Sequence, residues 1–251
     1  MTPKLTLVGA GPGNAELITL KGMKALQQAD VVLYDELANP ELLEFAPAEA
    51  LKMYVGKKAG NPSFSQNEIN GLIVRLARKR GHVVRLKGGD SFVFGRGYEE
   101  LEYAREHGVK VEVIPGVSSC IAVPASLEIP VTSRGYSESF WVITGTTRHE
   151  ELSDDMQLAA QSKATIVVLM GMSRLQDICD LYKKFGRAHL PMAVIQNGTW
   201  ENEKSVIGQV WEMPRLVEEN GIGTPAIMVI GEVVSLHPSY ALDYLQSMQL
   251  V

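Results

Sequence analysis

Short runs rich in β-branched residues alternate with amphipathic segments along this chain, and that alternation restricts its fold more than any other feature. The first half contains five predicted strands: Leu5–Val8, Val31–Tyr34, Leu51–Val55, Val83–Leu86 and Val111–Ile114. Helical segments lie between most of them, which suits a largely parallel sheet that is covered on both faces. The first half therefore predicts an α/β domain.

The second half repeats the alternation with one difference. Its predicted strands are Phe140–Thr144, Ile166–Met170, Met192–Ile195, Ser205–Gly208 and Ala226–Ile230. The strands near Ile195 and Ile207 are close enough in sequence for an antiparallel hairpin, so this sheet should be mixed. The stretch 115–136 between the halves is rich in proline and serine, with a short helix expected at 118–126. We therefore predict two α/β domains, residues 1–118 and 119–251.

The clearest predicted helix covers Ser65–Arg80. Ser65 and Glu68 have the spacing of a capping box, in which each side chain bonds a free backbone N–H of the other. Gly81 follows the last turn, where a left-handed residue often ends a helix. The apolar stripe of the helix consists of Ile69, Leu72, Ile73, Leu76 and Ala77.

Composition argues against several classes of function. The net charge of −5 over 251 residues disfavours general nucleic-acid binding, which needs a basic surface. No apolar run approaches the roughly 20 residues that span a bilayer, and the first residues lack signal-peptide features, so no membrane and a cytoplasmic location are expected. The two cysteines and five histidines lack the spacing of a zinc site, which predicts metal-free chemistry.

Two glycine-rich turns follow predicted strands. The first, from Gly9 to Asn14, departs from dinucleotide-binding spacing and could line a ligand or be purely structural. The second, Gly88-Gly89-Asp90, is more specific, because ligands of open parallel sheets bind beyond the carboxyl ends of strands. Asp90 could accept hydrogen bonds from a ligand, cap a helix that begins near Arg96, or serve as a turn residue.

Three charged residues are further candidates. Asp35 and Lys57 each follow a predicted strand of the first sheet, so they could act as base and acid or form a structural ion pair. Arg134 is a lone cation in the junction between the halves. It could bind a carboxylate of a ligand in a cleft there, or form an interdomain salt bridge.

Together these segments resemble the tetrapyrrole methylase family, and within it the branch that methylates uroporphyrinogen III. The stretch typical of that branch is matched by residues 56–61 and 66–70, and the longest match runs from 85–90 through 94–97. The other matches follow in family order at 8–19, 32–37, 115–119, 129–134, 170–171, 196–199 and 225–226. The resemblance therefore covers nearly the whole chain.

The resemblance implies two α/β/α domains with the active site in a trough between them, and a homodimer. It implies S-adenosyl-L-methionine as methyl donor, with S-adenosyl-L-homocysteine as product. Asp35 matches the family's proposed proton acceptor, Lys57 its proposed proton donor, and Arg134 an arginine on the substrate side. The cofactor-binding positions that it indicates are Pro12, Gly88, Gly89, Asp90, Val93, Ser118, Ser119, Met170, Gly198 and Ala226.

The implied reaction is two successive C-methylations that convert uroporphyrinogen III to precorrin-2 through precorrin-1, towards sirohaem and cobalamin. A sulfonium methyl group is itself the electrophile, so neither a metal nor a covalent nucleophile is required. Arg134, Lys58 and Arg96 are candidates to meet the carboxylates of the substrate. No match to the NAD-dependent module of some relatives is present, so a single activity is expected.

Three positions depart from the family pattern. Asn14 stands where the family usually has Asp, which removes one charge near the cofactor turn. Pro62 and Ser133 each stand where the branch usually has His, near the expected substrate trough.

Two alternative functions remain. One is a methylase of the same fold that acts on a later corrinoid precursor, on diphthine or on ribosomal RNA. The other is a non-catalytic nucleotide-binding module, which gives no reason for Asp35 and Lys57 to share a crevice with the glycine turns. Turnover of uroporphyrinogen III with the methyl donor discriminates them.

Overall fold

The computed structural model describes residues 2–56 and 64–240. The chain divides into two compact units, Met1–Ser119 and Cys120–Val251, each with a five-stranded sheet. The first unit ends one residue after the domain boundary predicted from the sequence. None of the helices in the described ranges is long and apolar enough to cross a membrane.

The first unit contains a parallel sheet. Its strands are β1 (Lys4–Gly9), β2 (Val31–Tyr34), β3 (Leu51–Tyr54), β4 (His82–Lys87) and β5 (Lys110–Ile114). They lie in the order β3-β2-β4-β1-β5 with every neighbouring pair parallel, which confirms the predicted sheet. Its helices are α1 (Leu20–Leu26), α2 (Gln66–Arg80) and α3 (Gly97–Glu106), with 3₁₀ turns at Ala15–Leu17 and Pro40–Phe45.

Strand residues of this sheet alternate between two buried clusters, because successive side chains of a strand point to opposite faces. Leu5 and Leu7 pack in the cluster that contains the apolar stripe of α2, and Val8 lies in the other cluster. That second cluster includes residues of α1 and of the 3₁₀ turn at Pro40–Phe45. Both faces of the sheet are therefore covered, as a parallel sheet requires.

Helix α2 begins and ends where the sequence predicts. The Ser65 hydroxyl accepts from the Glu68 N–H, and the Glu68 carboxylate accepts from the Ser65 N–H at 2.7 Å. Gly81 ends the helix with φ of 112°, a positive value that costs glycine little. The predicted capping box is confirmed.

The second unit contains a mixed sheet, as predicted. Its strands are β6 (Phe140–Thr144), β7 (Thr165–Leu169), β8 (Pro191–Gln196), β9 (Lys204–Gln209) and β10 (Ala226–Ile230), in the order β6-β7-β10-β8-β9. Only β6 and β7 are parallel, and β8 and β9 form the predicted antiparallel pair. Its helices are α4 (Ser119–Ser126), which begins at the end of the first unit, α5 (Asp155–Ala159), α6 (Leu175–Lys184) and α7 (Met213–Glu219), with 3₁₀ turns at Met172–Arg174 and Glu232–Leu236.

Helices cover both faces of this second sheet as well. Ile166 and Val168 of β7 pack in a cluster with residues of α5, α6 and α7. Val167 of the same strand packs in a second cluster, which includes Val123 of α4. Both units are therefore layered α/β structures, as predicted.

Candidate active site

In the first unit, strand direction brings most of the predicted site residues to one edge of the sheet. Because all five strands are parallel, their carboxyl ends lie at the same edge. The turns that follow β1, β2, β4 and β5 carry Pro12, Asp35, Gly88, Gly89, Asp90 and Ser118, and Ser119 comes next as the first residue of α4. These residues lie at the strand ends where the sequence predicted them, and their roles in binding and catalysis stay predictions.

The glycine turns pack backbone against backbone. Gly11 and Gly89 exchange two hydrogen bonds, of 3.2 and 2.7 Å, which form an antiparallel bridge just beyond the parallel pair β1 and β4. A Cβ on Gly9 or on Gly116 would lie under 3.0 Å from backbone atoms of the neighbouring turns. Gly89 has φ of 64°, a conformation that favours glycine, and a Cβ there would meet only ordinary contacts. The absence of side chains therefore lets three turns converge on one point.

Asp90 fixes the loop that follows β4. Its Oδ1 accepts from the Phe92 N–H at 2.8 Å, and its Oδ2 accepts from the Gly116 N–H at 3.0 Å. Val93 donates its N–H to the Asp90 carbonyl, which closes the turn. Asp90 is therefore a turn residue and not the cap of α3, since Arg96 itself occupies that N-cap without a side-chain cap bond.

Asn39 helps to hold the turn after β1 in place, a role that was not predicted from the sequence. It is buried, and its Nδ2 donates to the Gly13 carbonyl at 2.9 Å. Its Oδ1 accepts from the Glu41 N–H, so the side chain joins the turn after β1 to the 3₁₀ turn at Pro40–Phe45. Asn14, one of the departures from the family pattern, caps the 3₁₀ turn at Ala15–Leu17, where its side chain accepts from the Glu16 N–H.

Asp35 belongs to a charged cluster that the sequence reasoning also missed. Arg85 donates from Nη2 to Asp35 Oδ2 at 3.0 Å and from Nε to Glu100 Oε1 at 3.3 Å. Lys87 donates to the same Glu100 oxygen at 3.1 Å. The signal was present, because Arg85 and Lys87 alternate with the apolar residues of β4, and buried charges need partners.

Burial changes the acid–base properties of two groups near this edge. Burial first, and then the Arg85 guanidinium, lowers the pKa of the Lys87 amine. Burial and a hydrogen bond of 2.5 Å to Glu36 raise the pKa of Tyr54 to about 12. Tyr54 therefore stays protonated at neutral pH.

In the second unit, the remaining predicted cofactor positions also share one sheet edge. Met170 follows β7 and Gly198 follows β8, while Ala226 begins β10. Since β10 is antiparallel to both, its first residue lies beside their last ones, and Ala226 pairs with Gln196. A Cβ on Gly198 would lie under 3.0 Å from the Val123 side chain, so only glycine fits there. Met170 is exposed, with φ of 54°, and its carbonyl accepts from the Thr146 hydroxyl.

The predicted substrate-side cations differ from one another in the structure. Arg134 is exposed in a tight loop closed by two hydrogen bonds between Ser133 and Ser137, of 3.0 and 2.9 Å. No ion pair of Arg134 occurs with any described residue. Arg96 instead pairs with Glu99 through two contacts of 2.8 and 2.7 Å. The predictions for Lys57, Lys58 and Pro62 lie outside the described residues.

Comparison with known proteins agrees with this geometry. The family model for tetrapyrrole (corrin/porphyrin) methylases matches residues 4–214. The chain is 43% identical over 238 residues to a uroporphyrinogen-III C-methyltransferase of Methanocaldococcus jannaschii, covering 94% of this chain and 98% of that protein. It is also 43% identical to a sirohaem synthase of Chromobacterium violaceum, covering 92% of this chain but only 49% of that protein.

A solved structure extends the likeness to three dimensions. A uroporphyrin-III C-methyltransferase of Thermus thermophilus, in complex with S-adenosylhomocysteine, superimposes with a TM-score of 0.80 at 39% identity. The match covers 93% of this chain and 99% of the Thermus chain. The likeness therefore includes both sheets and the turns at their edges.

Proposed function

The chain belongs to the tetrapyrrole methylase family, and on that premise we propose that it transfers methyl groups from S-adenosyl-L-methionine to carbons of uroporphyrinogen III. One observation carries the proposal. The turns after β1, β4 and β5 converge through backbone contacts at the sheet edge that also carries Asp35. This combines a small-molecule cradle with a candidate base on a chain closely similar to enzymes of that activity.

The described residues fit the methyl donor. Backbone turns without side chains let a ligand approach closely, and a Cβ on Gly89 would have no neighbour nearer than the backbone of Ser119 and Ser118, at 3.8 and 3.9 Å. When bound, the donor supplies an electrophilic methyl group. We propose that Pro12, Asp90 and Ser118 lie beside it in the first unit. The full proposed set is Pro12, Gly88, Gly89, Asp90, Val93, Ser118, Ser119, Met170, Gly198 and Ala226.

Asp35 is proposed as the proton acceptor. An electron-rich pyrrole carbon attacks the methyl group, and the substrate must then lose a proton while the electron pair of the broken bond remains in the ring system. One oxygen of Asp35 is bound by Arg85, whereas Oδ1 is buried without a partner among the described residues. A carboxylate oxygen without a hydrogen-bond partner keeps its capacity to accept a proton. Lys57 is proposed as the proton donor.

Arg134 is proposed to meet a carboxylate of the substrate. It is exposed and lacks an ion-pair partner in the described ranges, whereas Arg96 is already paired with Glu99. A free guanidinium can bind a carboxylate through two parallel hydrogen bonds. Lys58 and Arg96 remain proposed as secondary contacts, with Arg96 the weaker of the two because it would have to leave Glu99.

Direct assay tests the proposal. Purified protein is incubated anaerobically with S-adenosyl-L-methionine and uroporphyrinogen III, and the oxidised products are separated and weighed by mass spectrometry. We expect products that carry one and then two added methyl groups, together with S-adenosyl-L-homocysteine. Uroporphyrinogen that remains unmethylated, while a later corrinoid precursor is methylated, would favour the alternative within the family.

The route and the assembly are further proposals. We propose that the product feeds sirohaem synthesis, because the chain resembles the half of sirohaem synthases that it spans. A homodimer in the cytoplasm is also proposed, and light scattering during size-exclusion chromatography tests the dimer.

A further inference from the structure

Four charged side chains are concentrated inside the first unit. The side chains of Arg85, Lys87 and Glu100 are 4%, 6% and 0% exposed, and that of Asp35 is 23% exposed. Burying charges is costly, and well-packed apolar residues often replace a buried ion pair without loss of stability. Stability alone is therefore a weak reason for this cluster. Its position next to Asp35, at the carboxyl edge of the first sheet, indicates a role in catalysis instead.

Arg85 is held at all three of its nitrogen atoms. Nη1 donates to the backbone carbonyls of Leu86 and Leu33, at 2.9 and 3.4 Å. Nε donates to Glu100, and Nη2 is left to donate to Asp35 Oδ2 at 3.0 Å. Because two strands and a buried carboxylate fix the guanidinium, the guanidinium in turn fixes the Asp35 carboxylate.

Glu100 binds Arg85 through a guanidinium nitrogen that does not contact Asp35, and it accepts from three side chains in all. Its Oε1 accepts from Arg85, from Lys87 and from Gln66 Nε2, the last at 3.2 Å. Gln66 is the first residue of α2, so Glu100 joins the start of that helix to strand β4. The carboxylate thus holds Arg85 in place without contacting Asp35 itself.

We propose that Arg85 is a positioning residue for Asp35, and that Glu100 acts one step further away by positioning Arg85. In this arrangement Arg85 binds Oδ2 and so sets the orientation of the whole Asp35 carboxylate, which receives the proton from the substrate. The inference rests on the proposed function, since it assigns a role in that reaction to residues that do not contact the substrate.

A double-mutant cycle tests the coupling. Arg85→Lys keeps the charge but cannot reproduce the bonds at all three nitrogens, and Asp35→Asn removes the base. A misplacement of 1 Å can lower a rate by ~10²-fold, so Arg85→Lys should lower kcat by about that factor in the otherwise unchanged enzyme. In the Asp35→Asn background, Arg85→Lys should lower kcat by about twofold or less, which is the range within which the effects of independent mutations add. The KM for uroporphyrinogen III and the affinity for S-adenosyl-L-homocysteine should change little in either background.

Equal effects of Arg85→Lys in both backgrounds would contradict the inference. If Arg85→Lys lowers kcat by the same factor with Asp or with Asn at position 35, Arg85 does not act through Asp35, and the inference is wrong. Glu100→Gln should behave like Arg85→Lys, with a smaller loss. Arg78→Lys, in which an exposed arginine of α2 donates to a backbone carbonyl, is the matched control and should retain full activity.

A second variant serves if the buried substitutions prevent folding. Asp35→Glu leaves Arg85 in place, keeps the negative charge and moves the carboxylate by one methylene group. If placement matters, kcat should fall by ~10-fold or more, and full activity would overturn the inference. An unmodified enzyme that fails to methylate uroporphyrinogen III would instead refute the proposed function, so the two failures are distinguishable.

Discussion

The close packing of the glycine turns predicts a severe effect of a single methyl group. In Gly116→Ala the new Cβ would lie under 3.0 Å from the Gly89 carbonyl oxygen and from backbone atoms of Gly9. These are backbone atoms, so the turns themselves must separate. The movement threatens the bond from the Gly116 N–H to Asp90 and the two bonds that Gly89 exchanges with Gly11.

The magnitude follows from the bonds at risk. Loss of the charge-assisted bond to Asp90 alone costs about 1.5–3 kcal/mol, and loss of the two backbone bonds as well brings the total to about 2.5–6 kcal/mol. We expect a decrease of that size in the free energy of unfolding. We also expect weaker binding of S-adenosyl-L-homocysteine, because the same turns form the proposed cradle.

Urea unfolding followed by circular dichroism measures the first quantity, and isothermal titration calorimetry measures the second. Gly71→Ala is the matched control: its Cβ would meet no atom within 4 Å, and it lies inside α2. That control should be stabilised by about 0.5–1 kcal/mol, since alanine is the better helix residue. A Gly116→Ala variant with the unfolding midpoint and ligand affinity of the original protein would refute the reasoning.

Three further predictions concern other parts of the molecule. Arg134→Ala should raise the KM for uroporphyrinogen III by about 10-fold or more while leaving that for the methyl donor unchanged; equal increases in both would contradict its assignment. Asn39→Ala should lower the free energy of unfolding by about 1–3 kcal/mol and weaken S-adenosyl-L-homocysteine binding, because it frees the turn after β1; calorimetry with unchanged affinity would contradict this. Hydrogen bonds from Lys21 and Lys4 lower the pKa of Glu112 from 4.5 to about 2, so its stabilising contribution is present above pH 4.5 and is lost as the pH falls towards 2. Melting temperatures of Glu112→Gln should therefore depend less on pH across that interval, and parallel curves for the two proteins would argue against it.

Local patterns were sufficient to predict the elements of both sheets. Each predicted strand is present, because a strand needs only a few β-branched residues and a turn at each end. The capping box at Ser65 and Glu68 could also be predicted, since its partners are three residues apart in sequence. Arg96 and Glu99 have a similar spacing, and their ion pair could have been anticipated from it.

Long-range pairing limited what the sequence could reveal about the site. Arg85 meets Asp35 across 50 residues of sequence because β2 and β4 are neighbours, and it meets Glu100 across 15 because α3 packs on a face of the sheet that contains β4. Asn39 reaches Gly13 for the same reason, since both follow strands of one sheet. The glycine motifs lie in the turns themselves, whereas Arg85, Glu100 and Asn39, which hold Asp35 and the turn after β1 in place, lie outside the glycine motifs or are recognisable only from the fold.

Strand direction also shows where a probe can be attached to each unit, at the end of the sheet away from the candidate site residues. Gly108 precedes β5 and Gly186 precedes β8, so both exposed turns lie at the opposite ends of their strands from the glycine turns and from Met170. A Cβ on either glycine would meet no atom within 4 Å, but φ of 74° and 73° favours glycine at both positions, so an insertion should leave the two glycines unchanged. Exposed turns of this kind tolerate inserted residues. A fluorophore, an affinity peptide or a surface tether attached at these two turns would therefore report on the enzyme, or hold it, without obstructing turnover.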